Sequence, residues 1–178
     1  MQNISVEYFN IAENYLAQKN YSKAIENYNL SLRSAKKENI NQTKYQLAKA
    51  YALNKNYTEA EDILFDLYQQ EQTNSILAQS LAYCYAKNGK IQQALTMYKT
   101  IYVEKQKQED VANNYFLLLL EAKEFDEANS VLEQFKADFP ESTKIKTLED
   151  NLKKATEPVE KPQVSEENKE QTKEQTKE

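Results

Sequence analysis

The sequence predicts an all-α fold built from four repeated helix–turn–helix units and one further helix. Three observations support this prediction. Similar segments recur along the chain at intervals of 36, 34 and 34 residues. Their apolar residues have the spacing of one helix face, and a short polar stretch separates the two helices of every unit. The repeat therefore organises most of the 178 residues.

The first helix of each unit is predicted from residues at i, i+3, i+4 and i+7, which lie on one face of an α-helix. In the first unit these residues are Tyr8, Ile11, Ala12 and Tyr15. The matching residues of the later units are Lys44, Leu47, Ala48 and Tyr51, then Ala78, Leu81, Ala82 and Tyr85, and finally Ala112, Tyr115, Phe116 and Leu119.

The second helix of each unit contains an aromatic residue or isoleucine, an alanine three residues later, and a large apolar residue four positions beyond it. The aligned alanines are Ala24, Ala60, Ala94 and Ala128. Polar turns are predicted at 18–20, 54–56, 87–89 and 122–124. Gly89, the only glycine, lies in one of these turns, where a positive φ is useful, and Asn20 and Asn56 are expected to serve similarly.

Two helix starts have recognisable capping residues. Thr58 and Glu61 have the spacing of a capping box at the start of a second helix. After the fourth unit, Ser142 is expected to cap a final helix over 143–155 that is apolar on one face only. Such a helix would cover the hydrophobic face that a stack of helix pairs exposes at its last unit.

The composition changes at about residue 156. From there to residue 178 the chain has seven Glu and four Lys, and Val159 and Val164 are the only large apolar residues. Such a segment cannot bury enough apolar surface to offset its ordering entropy. We therefore expect 1–155 to form the folded domain and 156–178 to be a disordered tail rich in Lys, Glu and Gln.

Composition excludes several kinds of chemistry. The net charge of −5 gives no indication of a nucleic-acid partner. The chain has no His to act as a ligand or as an acid/base group, and a single Gly cannot build a phosphate-binding loop. Its only Cys, Cys84, can form neither an intrachain disulfide nor a thiolate zinc cluster. We therefore expect no catalytic residues, no metal, no cofactor and no enzymatic activity.

The chain carries no segment that would enter a membrane. Its N-terminal region lacks the pattern of a secretory signal, and the longest apolar run, 115–120, is far shorter than the ~20 residues that span a bilayer. These features predict a cytoplasmic protein without direct membrane insertion. The alternative is the soluble part of a periplasmic or membrane-tethered protein.

The 34-residue helix–turn–helix period resembles the tetratricopeptide repeat (TPR) over about residues 5–141. The family's small residue in the first helix matches Ala12, Ala48 and Ala82, and its small residue in the second helix matches the four aligned alanines. Lys44 and Phe116 depart from the family pattern. The resemblance implies a right-handed α-solenoid with repeats at about 5–38, 41–74, 75–108 and 109–142, followed by the capping helix.

The resemblance also implies a role in protein binding, because the first helices of a TPR array line a concave groove. Carried over residue by residue, the groove positions are Val6, Phe9, Asn10, Glu13, Gln42, Tyr45, Gln46, Lys49, Ile76, Gln79, Ser80, Tyr83, Asp110, Asn113, Asn114 and Leu117. Aromatic and aliphatic side chains can anchor apolar side chains, and amides can pair with a peptide backbone. We therefore expect a peptide or helical segment of another protein as the partner.

Two alternatives accompany this interpretation. The groove could simply remain solvated, or the chain could be a self-assembling structural subunit, with a homodimer left open, because Leu118 and Leu120 lie outside the core pattern. One TPR subtype is excluded. The positions at which TPR co-chaperones bind a C-terminal carboxylate hold no basic residue: here they are Phe9, Glu13, Gln46, Ile76 and Ser80.

Overall fold

The computed structural model describes residues 4–34, 40–104 and 108–157, and all regular secondary structure in these ranges is α-helical. The helices are α1 (Ile4–Ala17), α2 (Tyr21–Ser34), α3 (Ile40–Leu53), α4 (Tyr57–Gln70), α5 (Ser75–Lys87), α6 (Ile91–Glu104), α7 (Glu109–Glu121), α8 (Phe125–Asp138) and α9 (Ile145–Thr156).

The helices form four pairs that stack in chain order. Each odd-numbered helix from α1 to α7 packs against the helix that follows it, and each pair contacts the next pair. The last helix, α9, packs against α8 and α7. The predicted all-α helical repeat fold is confirmed, and four helix pairs of this kind form an α-solenoid.

Small residues allow the two helices of a pair to approach closely. The four aligned alanines, Ala24, Ala60, Ala94 and Ala128, are all 0% exposed. In the first three units the facing residues of the odd-numbered helices are also alanines and are equally buried: Ala12, Ala48 and Ala82. A side chain of one carbon at both positions leaves the backbones separated by little more than van der Waals contact.

The fourth unit accommodates a larger residue at this position. Phe116 replaces the alanine of the other units and is completely buried. Helices α7 and α8 approach each other over a smaller part of their length than the helices of the three earlier pairs. The last pair is therefore more open, and the ring of Phe116 fills the space between its helices.

All four turns within the pairs have the same geometry. In the first, the Asn20 N–H donates to the Tyr15 carbonyl (2.9 Å) and the Lys19 N–H donates to the Leu16 carbonyl (2.9 Å), which is a Schellman motif. The residue with positive φ is Lys19, Lys55, Gly89 or Lys123. The expectation for Gly89 is confirmed, whereas that for Asn20 and Asn56 was wrong by one residue, because the residue before each asparagine reverses the chain.

Neither predicted cap occurs as expected. Helix α4 begins at Tyr57, and Glu61 does not take part in a capping box. Helix α9 begins at Ile145, two residues later than predicted, because the Ser142 hydroxyl accepts from the Lys144 N–H (3.1 Å) and holds 142–144 in a turn. It ends at Thr156, one residue later than predicted; most of the expected tail, 158–178, lies outside the described residues.

The leucines expected at a self-assembly surface belong to the core. Leu118 is only 4% exposed, and Leu120 packs against the same hydrophobic cluster. Helix α9 contributes the fully buried Leu148 to that cluster. The sequence left open whether the final helix, a partner or a second copy covers Leu118 and Leu120; in the structure, helix packing at this end of the solenoid, which includes α9, covers them.

Candidate binding groove

Six predicted groove residues line one cavity between α3, α5 and α7. This cavity, which we call the central cavity, has a volume of about 370 Å³. The predicted residues that line it are Tyr45, Lys49, Gln79, Ser80, Tyr83 and Asn114. They come from the first helices of three successive units, so residues up to 69 positions apart in the sequence meet at one surface.

Tyr83 is the main exposed aromatic group of this cavity. Its side chain is 42% exposed, although its ring packs edge-on against Tyr57, with centroids 6.1 Å apart. The Lys87 ammonium lies 5.5 Å from the Tyr83 ring centroid. Burial and the neighbouring Tyr57 raise the pKa of Tyr83, so its phenol is neutral at physiological pH. The ring therefore offers a positioned apolar surface with a neutral hydroxyl group.

The floor of the cavity is apolar and chemically inert. It includes Ala48, Leu64, Cys84 and Tyr98. Burial, followed by the nearby Glu61 carboxylate, raises the pKa of the Cys84 thiol to about 11. The thiol is therefore protonated at physiological pH and acts as a small apolar group, not as a nucleophile.

Two further cavities extend this surface along the first helices. One of about 270 Å³ is lined by Gln42, Tyr45 and Ile76, and another of about 240 Å³ by Val6, Phe9, Asn10 and Gln42. Tyr45 is shared by the first two of the three cavities, and Gln42 by the last two. The cavities therefore form a continuous row, which we call the groove.

The other predicted residues lie outside these three cavities. The Glu13 carboxylate accepts a hydrogen bond from the Tyr28 hydroxyl, so part of its capacity is used within the first unit. The Asn113 amide donates to the Asn114 side-chain oxygen (3.4 Å). Leu117 and Asp110 are exposed on α7. The groove residues at the two ends of the chain are thus less closely grouped than those at its centre.

Gln46 has an unusual polar environment. Its Oε1 atom is buried and accepts no hydrogen bond from the residues that the structure describes. Other polar groups of the groove are already paired: the Gln79 amide donates to Gln108 Oε1 (3.0 Å), and the Ser80 hydroxyl donates to the Ile76 carbonyl (2.8 Å). A buried acceptor without a donor costs free energy, and Gln46 lines none of the three groove cavities.

Glu61 has a role that the sequence did not predict, since its spacing from Thr58 suggested only a capping box. It is 7% exposed, and its carboxylate accepts from Asn88 Nδ2 (2.7 Å) and lies 2.5 Å from the Lys90 ammonium. These contacts link α4 to the turn between α5 and α6. They hold the second and third units together, and only the unusual position of an acidic residue next to Ala60 could have indicated them.

The described ranges contain neither a metal-binding cluster nor a membrane-spanning helix. There, no group of three or more Asp, Glu, Cys or His side chains is arranged to hold a metal ion. No described helix combines the length and the apolar character needed to cross a bilayer. The groove is therefore the candidate site.

A sequence model of the tetratricopeptide repeat family matches residues 100–142 of the chain. A curated relative, described as an "Uncharacterized lipoprotein" from Treponema pallidum (strain Nichols), is 26% identical over 156 residues. That alignment covers 88% of this chain and 79% of the relative.

Two solved structures have a fold similar to that of this chain. A tetratricopeptide repeat protein from Parabacteroides merdae superposes with a TM-score of 0.76 at 14% identity, over 86% of this chain and 60% of that protein. The MamA protein superposes with a TM-score of 0.69 at 18% identity, over 87% of this chain and 89% of its own. At such low identity, these similarities establish the fold alone.

Proposed function

Because the chain folds as a tetratricopeptide repeat solenoid, we propose that it is a non-catalytic scaffold that binds a segment of a partner protein in its groove. The TPR fold generally mediates interactions between proteins, and the family match over residues 100–142 and the similar solved structures support this proposal. The finer proposal, that the groove is the binding surface, depends on the arrangement of its own residues.

The central cavity carries this proposal. This cavity of about 370 Å³ has an apolar floor. An exposed aromatic ring, Tyr83, and the polar side chains of Asn114 and Lys49 surround that floor. A cavity of this size accepts one or two large apolar side chains, while the polar groups at its edge fix the orientation of the ligand. This arrangement is suited to binding a protein segment and not to catalysing a reaction.

The rest of the groove supports an extended or helical ligand over a compact one. The three connected cavities follow successive first helices, so a ligand can place apolar side chains in each. The amides of Gln42 and Asn114, which line these cavities, can pair with the backbone of that ligand. Affinity would come mainly from the aromatic contacts, and the amides would fix the register.

The double substitution Tyr83→Ala with Asn114→Ala is expected to abolish partner binding while leaving the melting temperature nearly unchanged. Both side chains are exposed, so they contribute more to a ligand than to the core. We expect the affinity for a partner segment to fall by at least tenfold, because central interface residues commonly contribute ~2 kcal/mol or more. Partners captured from the native cells would supply the segment, and isothermal titration calorimetry would measure its affinity.

A matched control is Ser130→Ala, which removes an exposed polar group from α8, away from the groove. This variant should bind like the wild type. An affinity of the double variant within twofold of the wild type would contradict the groove assignment. A large loss of helicity in circular dichroism would contradict it too, because the two residues would then be structural.

We infer that the chain is the aqueous part of a membrane-tethered protein, and not a free cytoplasmic protein. The description of the curated relative as a lipoprotein supports this localisation. The protein should sediment with membranes of its native cells and be released by detergent but not by high salt. Recovery of the full-length protein in the high-speed supernatant without detergent would contradict the inference.

A further inference from the structure

A further cavity lies outside the groove. It has a volume of about 490 Å³ and separates the second helices α4 and α6, with α5 as its floor. We call it the outer cleft. Phe65 and Tyr68 of α4 face Met97 and Ile101 of α6 across it, and Ala78 lies on its floor. Its lining is mainly apolar, and none of the predicted groove residues contributes to it.

Phe65 is unusual for its position in the repeat. The residue five positions after the aligned alanine is Asn29, Lys99 or Glu133 in the other units, and only the second unit has an apolar residue there. Phe65 is 44% exposed at the edge of the outer cleft. Because polar residues satisfy the same position elsewhere, helix packing does not require an aromatic ring there, and contact with another molecule would explain it.

The sequence explains why the cleft opens at this junction. Between α6 and α8, Lys99 forms an ion pair with Glu127 (2.7 Å), which also accepts from the Tyr115 hydroxyl (2.7 Å). The residues at the repeat positions of Lys99 and Glu127 are here Phe65 and Gln93, which form no ion pair. The junction between α4 and α6 therefore lacks the polar bridge that spans the next junction.

The floor residue is small. Ala78 stands where the first unit has Tyr8 and the second has Lys44, and the fourth unit likewise has an alanine, Ala112. Its single methyl group leaves open the volume that a longer side chain would fill. A small floor residue, a rim without the equivalent of the Lys99–Glu127 pair and an exposed phenylalanine thus coincide at one junction.

A second, polar cavity of about 390 Å³ adjoins the outer cleft and shares Phe65, Tyr85 and Gln93 with it. Its other side chains include three carboxylates, those of Glu61, Asp62 and Asp66, and one ammonium, that of Lys90. Lys90 pairs with Glu61, so among the described residues Asp62 and Asp66 have no ion-pair partner. A negative field therefore lies directly beside an apolar cleft.

We propose that the outer cleft is a second docking site, which binds an amphipathic helical segment of a partner protein. One large apolar side chain of that segment occupies the cleft against Phe65 and Met97. A Lys or Arg about one helical turn away pairs with Asp62 and Asp66, because a basic residue complements the charge of the adjoining cavity. The chain would then connect two partners, one in the groove and one in the outer cleft.

The test uses a phage-displayed library of helical peptides of about 16 residues, selected on the full-length protein. Enriched peptides should share a large apolar residue with a Lys or Arg three or four positions away. Their affinity should fall at least tenfold for Phe65→Lys and for Ala78→Lys. Phe65→Lys introduces the residue that the third unit carries at the same position, and Phe65 is exposed, so the fold is expected to tolerate it. Ala78 is buried, so circular dichroism must show that Ala78→Lys is folded before its affinity is interpreted.

Two further variants separate this site from the groove. The double substitution Asp62→Asn with Asp66→Asn should lower the affinity of the peptides for the protein. It should also reduce the dependence of that affinity on salt concentration. The groove variant Tyr83→Ala with Asn114→Ala should bind them like the wild type. Selection of no peptide sensitive to Phe65→Lys, or of peptides without a basic residue, would overturn the proposal. Self-association of the protein that Phe65→Lys abolishes would also overturn it, because the occupant would then be a second copy.

Discussion

Replacing Phe116 with alanine is expected to lower the free energy of unfolding by about 3–5 kcal/mol. Phe116 is completely buried between α7 and α8, in the pair whose helices approach over a smaller part of their length. Truncation removes the transfer free energy of the ring and leaves a cavity, since the more open pair cannot close without disturbing its contacts with α6 and α9. Urea denaturation followed by circular dichroism measures this change.

The matched control for this experiment is Phe65→Ala. Phe65 is also a helical phenylalanine, but it is 44% exposed and lies at the edge of the outer cleft. Its truncation should change the free energy of unfolding by less than about 1 kcal/mol. Similar losses for the two variants would mean that Phe116 does not fill a space specific to the fourth unit.

The reverse substitution in the third unit, Ala82→Phe, is expected to destabilise the protein by about 3 kcal/mol, the upper end of the range for overpacked cores. Ala82 occupies the same repeat position as Phe116 but is enclosed between α5 and α6 with no exposed surface. A ring there must push the two helices apart. Because Glu61 links α4 to the turn of this unit, the distortion should also disturb the junction with the second unit.

The control for Ala82→Phe is Ala137→Phe, which makes the same substitution at an exposed position of α8. That variant should lose only the few tenths of a kcal/mol by which phenylalanine is a poorer helix former than alanine. Equal effects of the two substitutions would indicate that position 82 is not closely packed. The stacking of helix pairs through small residues would then need another explanation.

The architecture could be predicted because it depends on short-range patterns. The spacing of Tyr8, Ile11, Ala12 and Tyr15 defines one helix face by itself, and repetition of that pattern indicates stacked pairs. The turns were less predictable in detail. Lys19, Lys55 and Lys123 adopt a positive φ that their residue type does not favour, because the surrounding Schellman hydrogen bonds impose it.

The candidate site was predictable only where it follows the helix register. Tyr45 and Gln79 lie on the same helix step in successive units, as do Lys49 and Tyr83, so the repeat register predicts that these side chains line one surface. Glu61 and Phe65 were missed for a different reason. The contacts of Glu61 with Asn88 and Lys90, and the cleft beside Phe65, arise between units and depend on the distance between neighbouring helices. No local pattern encodes that distance.

The most direct test of the groove as the binding surface is photo-crosslinking from position 83. A photoreactive phenylalanine analogue would replace Tyr83 in one variant and Ser130 in a second, and both would be irradiated with the captured partner. Mass spectrometry would then identify the linked residues. We predict crosslinks from position 83 to one short segment of the partner and none from position 130. Efficient crosslinks from position 130 alone would contradict the account, because the partner would then lie on the outer surface of α8.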